Sequence, residues 1–174
     1  MKVRLTAGAI VVLLGAVRPA SADPQVHAGL RGSVCHLTPR SGVSTRFCSG
    51  LVLDAHFGRE RSSDFGVGPM LALSSAGFWD LRVGGGGSLL LPLHPDTPFV
   101  LAAGVFAHET RGVSLGGSLF WGFRGYNFHG NYNLGAGLFA EVLKDLDRER
   151  ATVFSLGFEI DAMLLAFPFL LLSG

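Results

Sequence analysis

The sequence predicts an all-β protein, an eight-stranded antiparallel up-and-down transmembrane β-barrel. Three observations point there. Apolar residues alternate with glycine, hydroxyl and isolated charged residues in eight separate segments. The dense charge falls between those segments, and no stretch carries the apolar spacing of an amphipathic helix. Residues 113–126, VSLGGSLFWGFRGY, show the pattern most clearly. Val113, Leu115, Leu119, Trp121 and Phe123 take odd positions, while Ser114, Gly116, Ser118, Gly122 and Arg124 take even ones. Successive side chains of a strand point to opposite faces, so this strand has one greasy face and one small, polar face.

The other strands follow in chain order. Residues 26–34 open the series. In FCSGLVLDAHFG, Phe47, Leu51, Leu53, Ala55 and Phe57 share one phase, against Cys48, Gly50, Asp54 and His56 on the other. DFGVGPMLALS sets Phe65, Val67, Pro69, Leu71 and Leu73 against Asp64, Gly66, Gly68, Ala72 and Ser74. Residues 81–91 form a strand whose phase is blurred by Gly84, Gly85, Gly86 and Gly87, and residues 99–107, 134–142 and 154–160 complete the eight. The connections LTPRSGVSTR, GRERSS, SSAGFW, LHPDTP, HETRG, GYNFHGN and KDLDRER are rich in turn residues or charge, and none is long enough for a second domain. An even count of neighbouring hairpins lets the first strand meet the last, which removes both edges.

Residues 1–22 stand apart from this series. Lys2 and Arg4 precede an apolar run over residues 7–17 and then Ala20-Ser21-Ala22, the layout of a secretory signal cleaved before Asp23. The apolar run is shorter than the roughly 20 residues of a spanning helix. Residues 23–174 are then a single barrel domain. Export places Cys35 and Cys48, the chain's two cysteines, in an oxidising compartment and predicts a disulfide; no Cys/His spacing matches a metal site. A directly opposed pair would set Gly29 against Asp54 and Leu30 against Leu53, with Arg31 diagonal to Asp54. The bridge would then sit at the loop end of a hairpin closed by residues 36–47.

Charge decides which way the greasy faces point. The chain has 48% hydrophobic residues, only 16% charged ones and a net charge of +1, against about a quarter charged in ordinary soluble proteins. That balance offers no broad basic field for nucleic acid. Alternation alone also fits a soluble periplasmic, lipocalin-like ligand-binding barrel with its apolar side chains inside. A wetted outer surface carries many Lys and Glu residues, however, whereas the polar face here is mostly glycine and serine with isolated ions. Arg59-Glu60-Arg61 and residues 144–150 lie between strands, where charge clears a hydrocarbon layer, and segments of about ten residues match a tilted bilayer crossing.

On these features residues 26–169 resemble the small outer-membrane β-barrels of Gram-negative bacteria, of the OmpA/OmpX-like eight-stranded kind. The stretch GSLFWGFRGYNFHGNYNLGAGLFAE is also similar to segments of uncharacterised outer-membrane proteins of myxobacteria. The resemblance implies the cell outer membrane as location, outer-membrane lipid and lipopolysaccharide as surroundings, and delivery by the barrel-assembly machinery. It implies a monomer with a structural or envelope role and no cofactor. Members of this class commonly end their last strand on an aromatic residue, whereas this chain closes AFPFLLLSG. Phe167 or Phe169 would take that part, unless the tail packs separately. Residues 151–172 read instead as a transmembrane helix would carry Glu159 and Asp161 at a cost of about 2.5–3.5 kcal/mol each, with Pro168 in the one uninterrupted apolar run.

With the greasy phases outward, the opposite phases deliver His27, Arg31, Asp54, His56, Arg82, His108, Arg124, Glu141, Glu159 and Asp161 to the lumen. Bare ions there are costly and should pair. Arg31, Asp54, His56, Arg82, Arg124, Glu141, Glu159 and Asp161 are the expected network, filling the barrel and leaving it plugged or weakly conducting. No catalytic residue and no metal ligand is predicted. The alternative enzyme is a lipid A-modifying hydrolase. The lipid A deacylase of this class uses a His, a Ser two residues on and a later Glu, and His129-Gly130-Asn131 followed by Glu141 matches only the first and last. Without that hydroxyl there is no nucleophile to activate. Tyr126-Asn127-Phe128-His129 reads equally as an aromatic turn at a membrane boundary. The four glycines at 84–87 lack the Lys-Ser/Thr and following helix of a phosphate loop.

Overall fold

The computed structural model describes residues 24–38, 44–61, 63–77, 80–94, 96–108, 112–127, 132–146 and 151–164. The predicted signal (residues 1–22), Phe128, His129, Phe167 and Phe169 lie outside them. Eight strands follow one another: β1 (Gln25–Thr38), β2 (Ser44–His56), β3 (Gly66–Ala76), β4 (Asp80–Leu91), β5 (Phe99–His108), β6 (Gly112–Asn127), β7 (Tyr132–Asp145) and β8 (Thr152–Asp161). Each pairs antiparallel with its sequence neighbours, and β8 closes on β1, from Gly29↔Asp161 to Thr38↔Thr152. The protein is therefore all-β, a closed eight-stranded up-and-down barrel. β8 is short at the end of the barrel that carries the termini. There β1 reaches past it to touch β7 at Val26↔Tyr132, and Asp161 caps the helical turn 162–164 by accepting the Met163 N–H at 2.7 Å.

The alternation runs as the sequence predicts, with the apolar phase outside. Val34, Phe65, Leu71, Val83, Trp121, Leu156 and Phe158 are all exposed, and the ions of the opposite phase are buried. The four glycines of β4 do not break the phase: Arg82, Gly84, Ser88 and Leu90 face inward, with Leu81, Val83 and Leu89 outward. The inner face is less purely polar than its glycines and serines suggest, because Phe106 and Phe120 are also buried. The glycines make room for them. A Cβ on Gly84 or Gly116 would run into the Phe106 ring, which lies over both strands. Phe106 joins Cys35, Leu37, Val52, Met70, Ala72, Ala76, Leu143 and Val153 in an apolar cluster towards the hairpin end of the lumen, opposite the termini.

Three expectations need correction. First, β1 runs on to Thr38 and β2 starts at Ser44, so residues 36–38 and 44–47 of the predicted loop are strand. Second, Lys144 and Asp145 end β7 instead of lying between strands. Third, the register is slipped by two: His27 faces Asp54, Gly29 faces Val52, Leu30 faces Leu51 and Arg31 faces Gly50. A slip of two keeps every side chain on its predicted face, which is why alternation could not detect it. The disulfide Cys35–Cys48 does form, with a Cα–Cα distance of 5.8 Å, but it is diagonal. Cys35 is paired with Arg46 and Cys48 with Ser33. Cys35→Ser with Cys48→Ser should cost about 3 kcal/mol, the loop-closure entropy of a ring this size, read as a lower urea midpoint that reductant no longer changes.

Candidate functional site

The network in the half of the lumen nearest the termini is built from β1, β2, β6, β7 and β8, and Arg124 is its centre. One Arg124 nitrogen, Nη1, donates to both carboxylate oxygens of Asp54 at 2.9 Å, and Nη2 donates to Glu159 Oε1 at 3.2 Å. Its guanidinium also lies over the Phe120 ring, 4.7 Å from the centroid. Glu159 is shared. Arg31 Nε donates to its Oε2 at 2.7 Å, and His27 Nε2 lies 2.9 Å from Oε1. Arg31 reaches on to Glu141 at 3.4 Å and covers the Phe139 ring. The other His27 nitrogen faces the Asn133 carbonyl at 3.0 Å and Asp161 at 3.2 Å, and Asp161 in turn accepts from the Tyr132 hydroxyl at 3.0 Å. Every long cation thus meets a carboxylate or an aromatic face, as burial requires.

Missing side chains set this geometry as much as present ones. Gly29 leaves the space that Glu159 occupies, since a Cβ there would come within 2.7 Å of Glu159 Cγ, and a Cβ on Gly135 would come equally close to the His27 ring. Gly29→Ala should therefore cost about 1–3 kcal/mol by overpacking. The loss should shrink when Glu159 is shortened to Asp in the same chain, as measured by urea unfolding of the two variants. The β2–β3 connection closes the mouth. Arg59 folds inward over Gly66, donates to Gln25 Oε1 at 2.9 Å, and receives the Gln25 amide on its carbonyl at 3.1 Å. Arg59 lies between β2 and β3, where the sequence places it, but it is only 3% exposed.

Of the residues expected to form one network, Arg31, Asp54, His56, Arg124, Glu141, Glu159 and Asp161 come together, with His27. Arg82 does not join them. It lies nearer the hairpin end with His108, which contacts Asp80, and with Asp145, which accepts from the Ser114 hydroxyl at 2.6 Å. Alternation would have found Gln25, Asp80, Asn133 and Asp145, which share parity with their buried neighbours. Nothing in the sequence marks Arg59. The predicted diagonal between Arg31 and Asp54 is absent: Asp54 is taken by Arg124, from the far wall of the barrel.

One grouping has the order of a catalytic relay. Ser88 Oγ lies 3.1 Å from His56 Nε2, and His56 Nδ1 lies 3.3 Å from Asp54 Oδ1. The second contact lacks hydrogen-bond alignment, and Ser88 also reaches the Gly68 carbonyl at 3.3 Å. All three residues are buried, with Asp54 committed to Arg124. A nucleophile needs space for an acyl group beside it, and a small chamber in the lumen, bordered by Ser33, Ser74, Glu141 and Ser155 among others, is lined by none of the three. The grouping is a buried polar contact in which His56 Nδ1 makes no aligned hydrogen bond.

Fold and interior together define a class: a closed eight-stranded antiparallel barrel, apolar outside and ion-paired within. No protein-family model matches the chain, and no curated protein matches it. Two solved structures share its general outline. A de novo designed transmembrane β-barrel is 11% identical with a TM-score of 0.42, covering 84% of this chain and 98% of its own. An S-type phycobiliprotein lyase from Guillardia theta is 9% identical with a TM-score of 0.36, covering 82% and 88%. Likenesses this distant say nothing of function.

Proposed function

We propose that the chain is a small outer-membrane β-barrel of the OmpA/OmpX-like kind, exported by residues 1–22, with a structural or envelope role and a side-chain-filled lumen. The observation that carries this reading is the polarity of the barrel. Along β6 the outward residues from Val113 to Phe123 are apolar or glycine, with Trp121 and Phe123 half exposed. Ten steps of about 3.3 Å give about 33 Å of strand. A tilt of about 40° turns this into a band about 25 Å tall, the thickness a bacterial outer-membrane barrel presents. Lys144 and His36, both outward-facing, lie at the hairpin-end rim of that band. A soluble lipocalin-like barrel would need the opposite polarity, since a contiguous apolar outer surface aggregates in water.

The lumen supports a non-catalytic role. Glu141, one half of the alternative hydrolase, is engaged by Arg31; its partner His129 lies outside the described residues. Trp121 offers a direct test. In a Trp79→Phe background, refolding into vesicles with brominated acyl chains should quench Trp121 fluorescence strongly. Unquenched emission would reject the lipid-facing assignment. In planar bilayers the protein should give no stable wide-pore conductance, because guanidinium pairs and aromatic rings occupy the cross-section.

A further inference from the structure

The lumen is not filled throughout. Between the Arg31–Glu141 pair and Arg82 lies a chamber of about 30 Å³, space for about two water-sized particles. Its lining includes Arg31, Ser33, Ser74, Arg82, Glu141 and Ser155. Arg82 is only 2% exposed, yet Nε, Nη1 and Nη2 have no hydrogen bond among the described residues. Its carboxylate neighbours stand beyond hydrogen-bond distance, Asp80 at 3.6 Å and Asp145 at 4.0 Å from Nη2. Ser74, directly opposite Arg82 in the β3–β4 ladder, and Ser75 beside it also have buried hydroxyls without partners. Across the chamber, Glu141 is held by Arg31.

A guanidinium cannot discharge its cost by losing a proton. Leaving its N–H groups unmatched in a buried space is expensive. On the inward-facing lining the groups left over are donors, the nitrogens of Arg82 and the Ser74 hydroxyl; the unmatched carboxylate oxygens of Asp80 and Asp145 lie outside that lining. What fits is therefore an acceptor, compact and negatively charged. Space for about two water-sized particles favours a monatomic ion over a larger anion.

We propose that this chamber binds a small monovalent anion of chloride size, held by Arg82 and the Ser74 hydroxyl. The site belongs to the interior and does not depend on what surrounds the barrel. The protein purified in detergent should unfold in urea at a higher midpoint in sodium chloride or bromide than in sodium gluconate of equal ionic strength. Above the dissociation constant, each tenfold rise in chloride should raise the folded-to-unfolded ratio about tenfold, as one site linked to folding requires. Arg82→Gln should abolish this chloride dependence. If that variant does not fold, Ser74→Ala carries the test, moving the dependence to higher chloride. Equal midpoints in chloride and gluconate would overturn the proposal and leave the chamber to water. So would a chloride effect that both variants retain in full.

Discussion

Arg124→Ala should cost about 3–5 kcal/mol, the penalty of leaving a buried charge without its partner, and is expected to be the most damaging single change in the lumen. The reason lies in what remains after the guanidinium is gone. Glu159 keeps Arg31 and His27, but Asp54 loses the one nitrogen that donates to both of its oxygens, and its remaining neighbour His56 is poorly aligned. The Phe120 ring also loses the cation stacked on it. The damage should be repairable. Arg124→Met combined with Asp54→Asn removes both charges at similar volume, and a buried ion pair exchanged for neutral groups is often near neutral in stability. Urea unfolding of the single and double variants in the same detergent measures both effects. A double variant no more stable than Arg124→Ala would show that shape, and not charge, is what Arg124 supplies.

Leu119→Arg should cost about 2–4 kcal/mol in a bilayer, the penalty for a cation near the mid-plane of a lipid-facing barrel wall. Leu119 is outward on β6, midway along the apolar run between Val113 and Phe123. The same guanidinium at Thr152, in the β7–β8 ladder beside Lys144 at the rim, should cost about 0–1 kcal/mol. Depth dependence is the signature. A wetted surface would tolerate Arg equally at both positions, so equal refolding yields into vesicles would contradict a lipid-facing wall.

How much of this was legible in the sequence follows from the two-residue period. All eight strands and their faces were readable, because burial on one side imposes alternation on every strand. The ions at positions 27, 31, 54, 56, 82, 108, 124, 141, 159 and 161 were assigned inward on that basis. Which ion meets which was not legible. Arg124 finds Asp54 from a strand 70 residues away in the chain, and a register slip of two moves Arg31 from Asp54 towards Glu159 without altering any face. That Arg59 turns back over the mouth was not legible, because connections carry no phase. Its inward turn depends on the absence of a side chain at Gly66, a relation between two residues that neither shows alone. The lone position of Arg82 was hidden for the same reason: parity puts it inside, but only the folded barrel shows that its neighbouring carboxylates stand beyond hydrogen-bond distance.

The most direct measurement is fractionation of cells expressing the protein, with the outer-membrane fraction run on a gel before and after boiling. Recovery in the outer membrane as a heat-modifiable band is the predicted result, since a closed barrel held by ladder hydrogen bonds and buried ion pairs resists detergent until heated. Recovery from the periplasm without detergent would contradict the lipid-facing barrel.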